Sequence, residues 1–427
     1  MSTSATATET AEGIPLTGRE EWRRYPLLPI AAGLGYATSV IHIYGFGPYI
    51  GPIAEDLGWS RTLVTAGLTM ATLVQAVGGI VIGVLVDKYG PRRFGVIGLL
   101  MIGAAFALLG TATGSAVNWY FLWALIALAA LPVQASVWTS AVASRFNASR
   151  GMAFAVTLCG ASVAAAVFPL LATRLIGEFG WRTATAGHAG IWLLFAFPMI
   201  FLFFRGAYDK QGRKAANAPA APRDLPGMAI REALFSANYA RLAIASLLFT
   251  FTILAIVVHF VPILTDRGAD PMAAAGIASL VGIFSIFGRL GTGFALDRFS
   301  APKVGALVFL LPALGSLLML FGGSTWLVLA AAAALVGLTL GAEIDVIVYL
   351  TSRFFGLKNF GALYGGLLAA LSVGTALGPL AAAAVYDTYG DYTLFLWLTI
   401  AFMIGSSLAL ITLPRDAPDW DGAAKQA

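Results

Sequence analysis

The sequence predicts an all-α membrane protein of twelve transmembrane helices arranged as two pseudo-symmetric six-helix bundles. Three observations predict it: an apolar composition, twelve separable apolar stretches, and a repeat that relates the two halves of the chain. The 427 residues are 59% hydrophobic and 11% charged, against roughly 25% charged in an ordinary soluble domain. A soluble chain of this length cannot hide so much apolar surface, so lipid must be its solvent. The single cysteine, Cys159, excludes an internal disulfide framework and a cysteine metal site. With three histidines in the chain, a His-rich metal centre is not expected, and neither a metal nor a cofactor is.

A spanning helix needs about 20 mostly apolar residues. Such stretches lie at about 26–50, 61–86, 93–113, 118–143, 151–176, 184–205, 239–265, 272–296, 303–322, 325–350, 361–385 and 392–413. Residues 1–24 are polar, carry both charge signs and lack the pattern of a cleaved signal peptide; they are expected to be a disordered cytoplasmic tail. The expected domains are an N-terminal bundle at 25–206, a cytoplasmic linker at 207–237 rich in Ala, Pro and basic residues, a C-terminal bundle at 238–413, and a tail at 414–427. Of the 26 Lys and Arg residues, 21 fall in the tails and loops on one side. Arg61, Arg174, Arg182 and Arg267 fall in loops on the other, and Arg289 lies inside a helix. The positive-inside rule then places both termini in the cytoplasm of an inner (plasma) membrane. The net charge of +5 follows from that bias and does not point to nucleic acid.

Four matches at a near-constant offset relate the halves. GVLVDKYG at 83–90 pairs with GFALDRFS at 293–300, and SRF at 144–146 with SRF at 352–354. Pro169 pairs with Pro379, and FGWRT at 179–183 with YGDYT at 389–393. Related membrane halves imply a pseudo-two-fold arrangement with a site at the repeat interface.

The stretch Gly83-Val84-Leu85-Val86-Asp87-Lys88-Tyr89-Gly90-Pro91-Arg92-Arg93 resembles the loop between helices 2 and 3 of the major facilitator superfamily, and that resemblance extends over residues 26–413. Gly83 would let helices approach. Asp87 stands at a helix C-terminus, where the dipole disfavours a carboxylate, so it calls for a cation such as Arg92, Arg93 or Arg145. A pair that makes and breaks would gate the protein; alternatively the loop is a tight turn carrying topology-setting charges. Asp297 and Arg298 form a degenerate second copy. A finer likeness is to the monocarboxylate transporters and their oxalate–formate-like relatives. Residues 145–153, running on to Gly160, are similar to that family's signature entering helix 5, with Phe146, Arg150, Ala153 and Gly160 matching. Gly58-Trp59-Ser60-Arg61, Gly180-Trp181-Arg182 and Gly356-Leu357 with Phe360 add to it.

Arg289 is the most informative residue. It lies eight residues before Asp297, about 12 Å from the end of its helix at 1.5 Å per residue, a depth at which arginine is costly and usually functional. Its planar fork suits a carboxylate. The resemblance implies that an arginine of helix 8 anchors an anion beside an Asp one turn earlier; here that position is Ser285. Glu343 and Asp345 in helix 10 are the replacements, at similar depth. Residues two apart on a helix point roughly 200° apart, so one of them would pair with Arg289 and carry the proton, and the other would join the charges near Arg298 or Arg353. Burial favours a protonated carboxyl and an arginine an ionised one, so switching between those environments couples protons. A permanent structural ion pair is the other reading. His42, Tyr44, Gln134, Trp138, His259, Tyr349 and Tyr364 are further candidate substrate contacts, each of which could instead be a packing or hydrogen-bonding group. Pro169 and Gly378-Pro379 mark bends in helices 5 and 11.

The resemblance implies a secondary transporter that moves a small organic carboxylate (a monocarboxylate or aromatic acid) with a proton by alternating access, as a monomer in the bilayer. A carboxylate exchanger and an efflux pump for an amphiphile are the alternatives. A receptor is disfavoured by the lack of an output domain. An enzyme is not expected, since the chain shows no HExxH, GxSxG or P-loop pattern.

Overall fold

The computed structural model describes residues 16–207, 227–296, 298–323, 325–356 and 358–414, with the side chains at 80, 83, 84 and 87 excepted. Residues 1–15, most of the linker and the tail from 415 lie outside the described residues. After the short α1 (Gly18–Arg24) the first span is broken into α2 (Leu28–Ser39), α3 (Ile41–Tyr44), a 3-10 turn at Gly47–Tyr49 and α4 (Ile50–Leu57). There follow α5 (Arg61–Tyr89), α6 (Pro91–Leu108), α7 (Ala116–Ala130) and α8 (Ala135–Ala143). Then come α9 (Arg150–Phe203), α10 (Ile230–Leu234), α11 (Ala237–Thr265) and α12 (Pro271–Leu296). The chain ends with α13 (Ala301–Phe321), α14 (Trp326–Phe355), α15 (Phe360–Tyr389) and α16 (Thr393–Ile411). Ten helical stretches among the described residues are long and apolar enough to cross a membrane. One of them, α9, has 54 residues and is two spans, because Gly180 at φ 72° and ψ 160° breaks it. With the fragmented first span, the fold has twelve transmembrane helices.

Two expected helices prove discontinuous. The first bends at Val40 (φ −106°, ψ 13°). The fourth breaks at Leu131–Val133, where Pro132 has no N–H to continue the ladder and Gln134 turns extended (φ −61°, ψ 160°). Both breaks fall beside polar side chains, His42 after the first and Gln134 at the second.

Contacts divide the chain into two compact units: Met1–Tyr49 with Met70–Ala220, and Ile50–Thr69 with Ala221–Ala427. In the first, α2 crosses α9 so closely that a Cβ on Gly160 would come within 1.9 Å of the Gly33 carbonyl oxygen. In the second, α12 and α14 meet through Gly288, Gly337 and Gly341, and a Cβ on Gly341 would lie 1.8 Å from the Ser285 carbonyl oxygen. Small residues let backbones approach where lipid supplies no hydrophobic drive. In the same unit α15 packs on α11 through Gly378, whose Cβ would stand 1.9 Å from the Phe251 carbonyl oxygen.

The tail expected to lack structure is helical at Gly18–Arg24, and Glu21 is the reason. Its carboxylate is buried and accepts from the backbone amides of Asn147 (2.7 Å), Ala148 (2.9 Å) and Ser149 (2.9 Å) and from the Ser149 hydroxyl (2.7 Å). These donors lie in the turn that leads into α9, with Ser149 as its N-cap. Trp22 and Tyr25 pack edge-on against Phe146 beside it. Burial pushes the Glu21 carboxyl up, but the hydrogen bonds together outweigh it and hold the group below its ordinary range. Its stabilisation is therefore complete at neutral pH and is lost as pH falls through the lowered value. Glu21→Gln should destabilise the protein by about 1 kcal/mol, as loss of a helix cap does. Melting in detergent across an acid series should show the gap between wild type and variant closing at low pH.

Candidate functional site

Arg289 stands on α12 and faces α14, which the three interface glycines bring close. Its Nη1 meets Asp345 Oδ1 at 3.4 Å, with side-chain exposures of 11% and 32%. That distance is long for a charge-assisted hydrogen bond, so the pair is loose. The Arg289 Nε is buried with no hydrogen-bond partner among the described residues. An unmet buried donor costs about 1–3 kcal/mol, which makes this guanidinium receptive to a further acceptor. Glu343 is buried at 6% exposure, and Arg289 acts electrostatically on both carboxyls. The helical period separates the two: Asp345 meets the arginine and stays part-exposed, while Glu343 is buried with Arg289, rather than Arg298 or Arg353, as the charge acting on it. Ser285 bonds back to the Gly282 carbonyl at 2.8 Å. Tyr349 is half-buried, and Tyr364 stacks on Phe360 with ring centroids 5.5 Å apart.

In the first unit the broken helices gather a polar cluster. His42 Nε2 lies 2.9 Å from Gln75 Nε2, and Gln134 Nε2 donates to the Gln75 carbonyl at 2.9 Å. With the Gln75 amide donating, His42 accepts at Nε2, which leaves Nδ1 to carry the ring proton, on the side of the Ser39 backbone. Discontinuous helices at membrane depth are where transporters of inverted-repeat type build solute sites. Gln75 has no charge and sits in an apolar run, so its signal in sequence was only that of one amide among alanines and valines. Tyr44 is half-buried nearby in sequence. Trp138 packs instead: it is fully buried, lies against Gly35 and Gly95, and donates its indole N–H to the Val133 carbonyl at 2.7 Å. It offers no surface to a solute in this conformation.

His259 has both ring nitrogens engaged. Nε2 donates to the Pro379 carbonyl at 2.9 Å, and Nδ1 lies 2.9 Å from the Tyr392 hydroxyl. That hydroxyl accepts from Arg61 Nη1 at 2.9 Å. Arg61 forks onto Asp266 (Nη1 to Oδ2 2.7 Å, Nη2 to Oδ1 2.9 Å) and lies 3.6 Å over the Tyr386 ring. The backbone amides of Arg61 and Thr62, at the start of α5, donate to Asp387 at 2.9 and 2.7 Å. So the segment Ile50–Thr69 is fastened into the second unit by Asp266, Asp387 and Tyr392, at the end of α11, α15 and α16. Sequence reading placed Arg61 in a loop and His259 as a solute contact. The available signal was the opposed charge of Arg61, Asp266 and Asp387, set among other loop charges such as Glu55, Asp56, Arg267, Asp270 and Asp391.

Of the expected gating residues, Gly90 (φ 85°) opens α6 in a backbone conformation that favours glycine. Arg92 donates to the carbonyls of Phe204 (2.8 Å) and Phe201 (2.6 Å). Arg145 donates to the Tyr25 hydroxyl and the Gly206 carbonyl, each at 3.1 Å. Both arginines thus meet the C-terminal end of α9, where the helix dipole favours cations. Arg93 is exposed. Gly83 lies within α5, the Asp87 side chain and Asp297 lie outside the described residues, and Arg298 stands 3.5 Å over the Phe294 ring. Among the described residues no group of three His, Cys, Asp or Glu side chains could hold a metal.

Residues 32–317 and 292–426 match the Major Facilitator Superfamily. Among curated relatives, "MFS transporter asaE" of Aspergillus flavus is 25% identical, with 78% of this chain and 73% of the relative covered. "Monocarboxylate transporter 13" of Rattus norvegicus is 28% identical, with 80% of this chain and 78% of the relative covered. A solved structure of a mutant of the nucleoside transporter NupG matches with a TM-score of 0.71 at 14% identity, covering 90% of this chain and 98% of that one; this likeness speaks for the fold.

Proposed function

The chain belongs to the Major Facilitator Superfamily and is a membrane transporter rather than an enzyme, and from that premise we propose that it moves a small organic carboxylate together with a proton. The observation that carries the reading is Arg289: a deep guanidinium in a loose pair with Asp345, its Nε buried and unmet. An incoming carboxylate would take the fork in two parallel hydrogen bonds and displace Asp345. Released from its cation in a partly buried place, Asp345 would then take up a proton. One carboxylate and one proton thus load together, and the pair re-forms when both leave. A relative that is a monocarboxylate transporter by name supports the same class of cargo. We assign alternating access to the two related sets of helices, with the Arg61 cluster as a lock at one end.

Uptake of a panel of labelled carboxylates into proteoliposomes, with and without an inward proton gradient, tests this. Gradient-stimulated uptake of one acid is expected, and Arg289→Gln should reduce it at least about thirtyfold, the loss that accompanies one partner of a buried charge pair. Uptake that ignores the gradient but needs internal carboxylate would make the protein an exchanger. No uptake of any acid, or full activity in Arg289→Gln, would overturn the carboxylate reading.

A further inference from the structure

A groove of about 610 Å³ runs between α12 and α13 on the second unit. Its walls are apolar, and several are open to the surroundings: Phe287 is 60%, Leu307 66% and Phe299 67% exposed. These helices are long and apolar enough to cross a membrane, so a groove on their exposed face would open to lipid. Gly291 forms part of its floor, and a Cβ there would meet nothing within 4 Å. At the α12–α13 turn the character changes. Lys303 lines that end, and Ser300 beside it has a buried hydroxyl oxygen with no hydrogen-bond partner among the described residues. Arg298, exposed on the same turn, adds a second positive charge.

We propose that this groove holds one anionic glycerophospholipid, its phosphate at Lys303 and Ser300 and one acyl chain along Phe287, Gly291 and Leu311. The chemistry is complementary at both ends. An apolar channel open to lipid takes a hydrocarbon tail, and basic pockets between transmembrane helices take anionic head groups. A lysine that merely reached for the interface would need no channel leading to it, and the unmet Ser300 hydroxyl would still lack a partner. A phosphate oxygen satisfies both groups at once. The site is distinct from that of Arg289 but shares a wall with it. Gly288 and Leu338 line the groove, and they also form the tight α12–α14 contact beside Arg289. A bound lipid would brace that contact from behind.

The test uses the full-length protein in mixed liposomes with a photoactivatable phosphatidylglycerol carrying a diazirine at mid-chain, and the matching phosphatidylcholine probe. Labelled peptides are mapped by mass spectrometry. Phosphatidylglycerol should label residues 287–311 several-fold more than phosphatidylcholine does. Lys303→Gln should remove that preference. Gly291→Leu, whose Cβ would stand in open space, should cut labelling there with either probe, with helix content and elution volume unchanged. Added inorganic phosphate should not compete. Labelling spread evenly over the lipid-facing helices, a head-group preference that survives Lys303→Gln, or full competition by inorganic phosphate would overturn the proposal.

Discussion

Asp345→Asn protein in proteoliposomes is expected to exchange carboxylate across the membrane at close to the wild-type rate while its gradient-driven accumulation falls about tenfold, within the usual range of coupling between two ligands. Asparagine has the size of aspartate and keeps an oxygen toward Arg289, so the guanidinium is still held and the binding place survives. What the substitution removes is the proton. A carrier that binds its anion normally but cannot take up the accompanying proton runs down gradients and cannot climb them. Glu343 provides the contrast. It lies two residues away on the opposite side of α14, buried at 6% exposure, and Asp345 rather than Glu343 meets Arg289 Nη1. Glu343→Gln should therefore retain coupling. Comparing counterflow with gradient-driven uptake in the two variants separates the possibilities. If Glu343→Gln uncouples while Asp345→Asn does not, the proton rides on Glu343 and the Asp345 pair is structural.

How much of this was legible in the sequence depended on whether a residue carries its own signal. The spans stand out because lipid demands about 20 apolar residues for each, and the turns on one side stand out by their Lys and Arg. Arg289 was legible because a cation in an apolar helix has no ordinary reason to be there. The helical period said that Glu343 and Asp345 face apart, but not which one faces Arg289; that was set by Gly288, Gly337 and Gly341, whose close approach fixes the rotation of α14 against α12. Alanine and valine on every side blur the amphipathic stripe, so no periodicity could distinguish Trp138 in the interior from a cavity wall. Pro132 was visible in the fourth span, yet composition alone read through it. Glu21 was hidden for another reason. Its partners are three backbone amides and one serine hydroxyl, and amides leave no trace in residue identity. A polar tail with mixed charge therefore read as unstructured, although a buried carboxylate pins it.

Arg61→Ala should open the end of the second unit where α5 begins. Arg61 is 8% exposed and is held by a two-pronged pair with Asp266, the Tyr392 hydroxyl and the Tyr386 ring. Removing it leaves Asp266 without its cation and Tyr392 without a donor. Losing charge-assisted hydrogen bonds to a part-exposed carboxylate in this way costs about 2 kcal/mol, roughly thirtyfold in the equilibrium between fastened and released forms. Asp387 alone, gripping the first two amides of α5, cannot make up that difference. Thr69 reports the release, because its hydroxyl donates to the Ala376 carbonyl at 2.7 Å and is buried while the segment is fastened. In a Cys159→Ser background, Thr69→Cys should react with a membrane-impermeant maleimide many-fold faster once Arg61 is alanine. Net uptake should fall in step, since a carrier that cannot close this end completes no cycle. Arg61→Lys should lie between the two, because it keeps the charge but loses the fork. Asp266→Asn should raise the same reactivity, and combining it with Arg61→Ala should add little, as expected of residues that act through one contact. Equal maleimide rates in wild type and Arg61→Ala would mean that Asp387 and the packing of α5 hold the segment by themselves, and that the arginine serves only to neutralise Asp266.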